Sequence, residues 1–151
     1  MPIEGPVRVL VVDDHVGIRK GIISLIDAER PSMHSVGAAA TAEEAIAQTR
    51  ERQPHVVVLD VNLGGEDGLA LIPALQRAAP CQIVVLTSLA DPHVAAHARH
   101  LGARACLQKT APATELLASI LAACRVCDVP VAAAPTNTGV ALSYVNGTNN
   151  P

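Results

Sequence analysis

Val56-Val57-Val58-Leu59-Asp60 is a run of four aliphatic residues closed by a carboxylate, and it is the clearest pointer to the fold. A strand with one solvated face alternates apolar and polar residues, whereas a strand of a parallel sheet covered on both faces is apolar at every position. The same unbroken pattern occurs at Val9 to Val12 and at Ile83 to Leu86. Short hydrophobic runs alternate with helical spacing along the chain: Arg8 to Val12 then Val16 to Glu29, Ser35 to Ala38 then Thr41 to Arg52, Val56 to Leu59 then Leu69 to Ala78. Ile83 to Leu86 leads into His93 to Leu101, and Ala105 to Leu107 into Pro112 to Cys124, so that five βα units follow one another. The expected fold class is α/β, a doubly wound five-stranded parallel sheet with helices on both faces.

Residues with a mechanism mark the helix boundaries. Thr41 with Glu44 reads as a capping box, Asp91-Pro92 and Ala111-Pro112 place proline at helix starts, and Gly102 ends the fourth helix. Pro73 falls within the third helical pattern, where it removes a backbone hydrogen bond unless it sits in the first turn, so a late start or a kink is expected.

A chain of 151 residues, half of them apolar, can bury one sizeable core. With a single Tyr and neither Phe nor Trp, that core must be built from Val, Ile, Leu and Ala. Lys and Arg number 11 against 14 Asp and Glu, a formal charge of -3, so the basic footprint of direct nucleic-acid binding is missing. No aliphatic run approaches the roughly 20 residues of a membrane span and no basic-then-apolar leader opens the chain, so no membrane association and a cytoplasmic location are expected. The four cysteines, Cys81, Cys106, Cys124 and Cys127, are then expected as thiols without disulfides. From Val129 to Pro151 there is no Asp, Glu, Lys, Arg or His, which divides the chain into a folded domain over 1–127 and a tail over 128–151, uncharged from Val129 on and expected to be disordered. The tail is too short for a helix-turn-helix domain, so no attached output domain is expected.

In an open doubly wound sheet, ligands bind beyond the carboxyl ends of the strands, where the strand order reverses. The first strand runs into Asp13-Asp14, the third into Asp60, the fourth into Thr87-Ser88, and the fifth reaches Lys109 after Leu107. Clustered carboxylates repel one another unless a cation sits among them, and hard oxygen donors suit Mg²⁺. Such a set can run phosphoryl transfer: Asp60 attacks in line, while the metal, a hydroxyl and an ammonium neutralise the phosphoryl oxygens.

With these residues in place, the chain resembles the response-regulator receiver family of two-component signalling. The resemblance rests on Val9-Leu10-Val11-Val12-Asp13-Asp14-His15, on Val56 to Gly68 with Asp60, Asn62 and Asp67, on Leu86-Thr87-Ser88, and on Gly102 to Lys109, and it spans about Val7 to Arg125. It implies a flavodoxin-like strand order 2-1-3-4-5, with Asp60 as phosphoacceptor and Thr87 and Lys109 binding the phosphoryl oxygens. It further implies Mg²⁺ held by Asp14 directly, by Asp13 through water, by Asp60, and by the backbone carbonyl of Asn62. The implied phosphodonor is a histidine kinase or phosphotransfer protein, and the implied output is a helix-4, strand-5, helix-5 surface for a downstream protein or a second copy of the chain. Such a protein catalyses its own phosphorylation and dephosphorylation only. His15 after the acidic pair resembles the subfamily that ends in a LuxR-type helix-turn-helix, so a stand-alone receiver of that kind is expected.

Three positions depart from the family pattern: Gly64 where Pro is usual, Cys106 where Tyr or Phe is usual, and Thr110 where Pro often follows the Lys. The chemistry is expected to survive them. Output by an aromatic that swings inward is not open to Cys106, which leaves a receiver-like adaptor acting independently of phosphorylation as the alternative. A hydrolase with a phosphoaspartate intermediate, similar to haloacid-dehalogenase-like phosphatases, fits less well, because those carry Asp-x-Asp after the first strand and this chain has Asp13-Asp14-His15.

Each member alone has a blander reading. An acidic pair after a strand is also a helix start, and Asp60 alone is also a cap of the Gly-rich loop. Gly64-Gly65 and Gly68 lack the Lys-Ser/Thr of a P-loop. Cys124-x-x-Cys127 is one pair where a zinc site needs four ligands, and is read as plain thiols. His93, His97 and His100 share one helical face and are read as solvated, with modulation of a partner contact by pH as the sharper alternative. Val140 to Val145 in the tail is strand-like, and pairing with a sheet edge is the alternative there.

Overall fold

The computed structural model describes residues 5–88 and 91–126. The elements are β1 (Val7–Val12), α1 (Val16–Asp27), β2 (Met33–Ala39), α2 (Ala42–Arg52), β3 (Val56–Asp60), β4 (Asn62–Leu63) and β5 (Glu66–Asp67). A 3-10 turn (Gly68–Leu71), α3 (Ile72–Ala78), β6 (Gln82–Thr87), α4 (Pro92–His100), β7 (Ala105–Gln108) and α5 (Ala113–Val126) follow. The main sheet has the order β2-β1-β3-β6-β7 with every neighbouring pair parallel. Counted within that sheet alone, this is the expected 2-1-3-4-5.

The all-apolar strands divide their side chains between two layers, as the two-residue period of a strand requires. Leu10, Val12, Val57, Leu59, Ile83 and Val85 pack with Ala45 of α2, Ile72 and Leu75 of α3 and Ala98 of α4. Val9, Val11, Val56, Val58, Val84 and Leu86 pack with Ile22 and Ile26 of α1 and with Leu116 and Ile120 of α5. Helices on both faces bury every position of β3, the physical reason for Val56 to Leu59 being apolar throughout.

The boundary signals act through identifiable hydrogen bonds. Thr41 Oγ1 accepts from the Glu44 N–H at 3.2 Å, and the Glu44 carboxylate reaches back to the N–H of Ala40, one residue before the cap. Pro73 falls in the first turn of a late-starting α3, where its missing N–H costs nothing. Beyond α4, Gly102 has φ of 115°; its N–H donates to Arg99 O at 3.0 Å and that of Ala103 to Ala98 O at 2.9 Å, the paired bonds of a Schellman ending. The patterning did not predict the antiparallel hairpin β4–β5. Its two-residue loop is Gly64-Gly65 with φ of 58° and 92°, the positive pair that a type I′ turn demands. Proline, locked near -65°, cannot occupy Gly64 in this turn, which accounts for that departure from the family pattern.

One core residue gives a stability prediction. Thr49 of α2 is fully buried, and its hydroxyl has no hydrogen-bond partner. Thr49→Val replaces that hydroxyl by a methyl of similar size, and is expected to raise the free energy of unfolding by about 1 kcal/mol in urea titrations followed by circular dichroism. A loss of stability would mean that the hydroxyl is bonded in solution.

Cys81 is buried in one layer and Cys124 in the other, on opposite sides of the sheet. His93, His97 and His100 are exposed on α4, while Val94, Ala98 and Leu101 of the same segment face the core. No helix among the described residues is long and apolar enough to cross a membrane. The tail 128–151, its segment Val140 to Val145, and Cys127 of the cysteine pair lie outside the described residues.

Candidate functional site

The site forms where the sheet order reverses, at the carboxyl ends of β1 and β3. Asp13 follows β1 and is held by its N–H on Ala39 O at 3.0 Å, and Asp60 is the last residue of β3. On the other side of β3, Thr87 closes β6 and lies one residue beyond Leu86, the register partner of Asp60. The N–H of Lys109 donates to Thr87 O at 2.8 Å, fixing the residue after β7 beside the end of β6. Parallel register thus delivers side chains from four strand ends to one edge.

Asp13, Asp60 and Thr87 are buried there, at 1%, 3% and 5% exposure, while Asp14 sits nearer the surface. Lys109 Nζ donates to Asp60 Oδ2 at 2.9 Å and lies 3.2 Å from Asp13 Oδ2, an ion-pair distance without the alignment of a hydrogen bond. Asp60 Oδ1 accepts from the Asn62 N–H at 3.2 Å, and Asp13 Oδ1 from the His15 N–H at 2.8 Å. Burial raises the pKa of Asp60 above its ordinary value; the hydrogen bonds from Lys109 and Asn62 oppose the shift and the Asp13 charge adds to it. For Lys109, burial works to lower the pKa, but the hydrogen bond to Asp60, the close contact with Asp13 and the charges of both carboxylates outweigh it and the net shift is upward. The ammonium is therefore firmly charged at neutral pH.

One ligand atom from each of Asp13, Asp14, His15 and Asp60 lies within 4.8 Å of the others. Asp14 Oδ1 and Asp13 Oδ2 are buried and accept no hydrogen bond. Buried carboxylate oxygens that make ion-pair contacts but no aligned hydrogen bond, with a single ammonium among three carboxylates, fit a hard divalent cation. Asp13, Asp14, Asp60 and Lys109 are brought together, Thr87 closes the neighbouring strand, and Asn62 opens β4 two residues after Asp60.

Two contributors were not singled out from the sequence. Arg19 of α1 donates to the backbone carbonyl of Asp13 at 2.7 Å, tying the acidic loop to the helix that follows it. Gly68 donates to Val61 O at 2.5 Å and presses its Cα against the Asp60 carbonyl so closely that a Cβ there would overlap it. Glycine at that point is legible as a site of close backbone approach, but its partner is not.

A family model described as the response regulator receiver domain matches residues 9–121. The chain belongs to this family. Its receiver fold superposes on the signal receiver domain of a response regulator, NarL, from Mycobacterium tuberculosis with a TM-score of 0.73 at 26% identity, covering 80% of this chain and 97% of that one. In sequence it is 31% identical over 118 residues to the transcriptional regulatory protein LiaR of Bacillus subtilis, covering 78% of this chain and 56% of LiaR. It is 36% identical over 113 residues to a protein-glutamate methylesterase/protein-glutamine glutaminase of Moorella thermoacetica, covering 74% of this chain and 26% of that protein. The chain thus spans only part of the length of these curated relatives. Its likeness to them is that of a receiver domain in two-component signalling.

Cys106 of this receiver is half-buried in β7, opposite Val85. Burial, opposed by the nearby Arg99 charge, pushes its thiol up to about 11, so it stays protonated and unreactive at neutral pH.

Proposed function

We propose that this receiver is switched by transfer of a phosphoryl group to the carboxylate of Asp60. The observation that carries the reading is the Lys109 ammonium seated 2.9 Å from Asp60 and 3.2 Å from Asp13, beside the buried Thr87. Asp60 attacks the phosphorus of a phosphohistidine on a histidine kinase or phosphotransfer protein; an oxygen–phosphorus bond forms, the phosphorus–nitrogen bond breaks, and the imidazole leaves with the bonding pair. Lys109 moves with the new negative charge from the carboxylate to a phosphoryl oxygen, and the Thr87 hydroxyl donates to another. The Asn62 N–H steadies Asp60 Oδ1, while Gly68, bonded to Val61 O and packed against the Asp60 carbonyl, fixes the backbone beneath it. Asp14, Asp13, Asp60 and the Asn62 carbonyl would hold Mg²⁺, which when bound neutralises carboxylate and phosphoryl charge.

The phosphorylated site would alter the surface of α4, β7 and α5 for a downstream protein or a second copy. With Cys106 in place of an aromatic, that signal would leave through Thr87 rather than through a rotating ring. Residues 1–127 act as the switching unit, in the cytoplasm where such kinases present their phosphohistidine.

The test is incubation with acetyl phosphate and Mg²⁺ followed by intact-mass analysis. The expected product is one phosphoryl adduct that requires the divalent ion, is labile to base and depends on Asp60. No adduct, together with no transfer from a phosphorylated kinase, would instead support an adaptor that binds its partner regardless of phosphorylation.

A further inference from the structure

Among the described residues, the large apolar side chains left exposed are Val16, Ile18 and Leu25, and all three lie on α1. Ile18, Gly21, Ile22 and Leu25 recur at i, i+3, i+4 and i+7, the spacing of one stripe along a helix. Ile22 is buried in the layer that α1 shares with α5, while a Cβ on Gly21 would meet nothing within 4 Å, so the stripe has a gap in its middle. Ile18, Ile22 and Leu25 line a groove together with Leu116 of α5 and with Gln108 and Lys109 at the end of β7. The phosphoryl-transfer reading uses Lys109 but none of the apolar wall.

The described residues end with α5 at Val126, and the chain runs on to Pro151 without a charged residue from Val129. Within that stretch, Val140-Ala141-Leu142-Ser143-Tyr144-Val145 is the segment richest in large apolar side chains. In extended form its Val140, Leu142 and Tyr144 would share one side over about 13 Å, close to the roughly 10 Å that separates Ile18 from Leu25 along the helix. Reach is ample, since the chain from Val126 to Val140 spans up to about 46 Å when extended, against about 21 Å for the whole of α5. A neutral segment also enters an apolar groove without stripping water from a charge.

We propose that Val140 to Val145 of the same chain occupies the groove between α1 and α5, with Val140, Leu142 and Tyr144 against Ile18, Ile22 and Leu25. Six residues free in solution would hold weakly to so small a surface. The tether presents them at an effective concentration in the millimolar range, so a weak intrinsic affinity is enough. Seated there, the segment stands beside Lys109 and narrows the approach to Asp60, with which Lys109 pairs. That consequence rests on the reading of Asp60 as phosphoacceptor; the docking itself does not.

Tyr144 is the one tyrosine and the chain has no tryptophan, so tyrosine fluorescence reports on this segment alone. The experiment is acrylamide quenching of the full chain, compared with a peptide of residues 129–151. The wild type is expected to be quenched about threefold less than the peptide, as a segment seated most of the time requires. Ile18→Asn with Leu25→Asn changes two exposed side chains, should keep the far-UV circular dichroism of the wild type, and is expected to restore quenching to the level of the peptide. Leu142→Ser, which alters no described residue, should do the same and keeps the test decisive if the α1 variant fails to fold. Wild-type quenching equal to that of the peptide would overturn the proposal. Protection that survives both variants would place the segment elsewhere, on a sheet edge for instance, and overturn it too. Protection lost on dilution would make the occupant a second copy's segment, against the intramolecular contact proposed. None of these readouts involves phosphorylation, so they hold or fail independently of the role of Asp60.

Discussion

Asp60→Asn is expected to abolish the acetyl-phosphate adduct completely and, at neutral pH, to unfold at a higher urea concentration than the wild type. The loss follows from chemistry, because an amide oxygen is too poor a nucleophile and Asp13, the other carboxylate beside Lys109, is 1% exposed with Oδ1 held by the His15 N–H and Oδ2 paired with the ammonium. The gain in stability follows from the sign of the Asp60 shift. Its folded pKa lies above the ordinary value of 3.8, chiefly through burial, with the Asp13 charge assisting and Lys109 and Asn62 opposing. A group raised in this way contributes stability that is fully present below the unfolded pKa and is lost as pH rises through the folded one. Asparagine never ionises and suffers no such loss. The difference between variant and wild type should therefore grow as pH rises through the folded pKa of Asp60 and disappear below the ordinary carboxylate range. Lys109 blunts the effect without reversing it, since its ammonium retains Asp13 in the variant. Urea midpoints measured from pH 3 to 8 decide the matter: a variant less stable than wild type at neutral pH would mean that the Lys109–Asp60 pair outweighs the cost of burying the charge.

Gly68→Ala is expected to cost about 3 kcal/mol or more of stability, the upper range for forcing a methyl into a packed interior. The added Cβ would overlap the Asp60 carbonyl oxygen and crowd that of Val61, and neither is the end of a flexible side chain that could yield. Relief must come from the backbone, by withdrawing Gly68 from its bond to Val61 O or by displacing the end of β3. The second route moves the phosphoacceptor itself, so the variant that does fold should also be phosphorylated more slowly. The control is Gly21→Ala on α1, where an added Cβ meets nothing within 4 Å and a helical position favours alanine. Near-wild-type stability of Gly68→Ala in thermal melts would show that the loop between β3 and the 3-10 turn is looser than its packing indicates.

Fold class, the number and order of the βα units, and the polar residues at the strand ends are all readable from the chain before it folds. They are readable because local rules encode them: unbroken aliphatic runs for strands buried on both faces, caps and prolines at helix ends, and polar residues placed after each run. Topology then carries the ends of parallel strands to one side whatever their separation along the chain. Some local signals went unread. The Gly64-Gly65 pair between Asn62-Leu63 and Glu66-Asp67 is a recognisable two-residue hairpin turn, although strands of two residues carry too little pattern to announce themselves.

Which of the gathered residues touch is settled by packing in three dimensions. That Lys109 bridges Asp60 and Asp13, that Gly68 lies against the Asp60 carbonyl, and that the His15 ring leans towards Asp13 and Asp14 are contacts between segments or rotamers that no spacing rule specifies. The reason is physical: a strand register places a Cα to within a residue, but burial, packing and the balance of charges set the last few ångströms, and those are properties of the assembled neighbourhood.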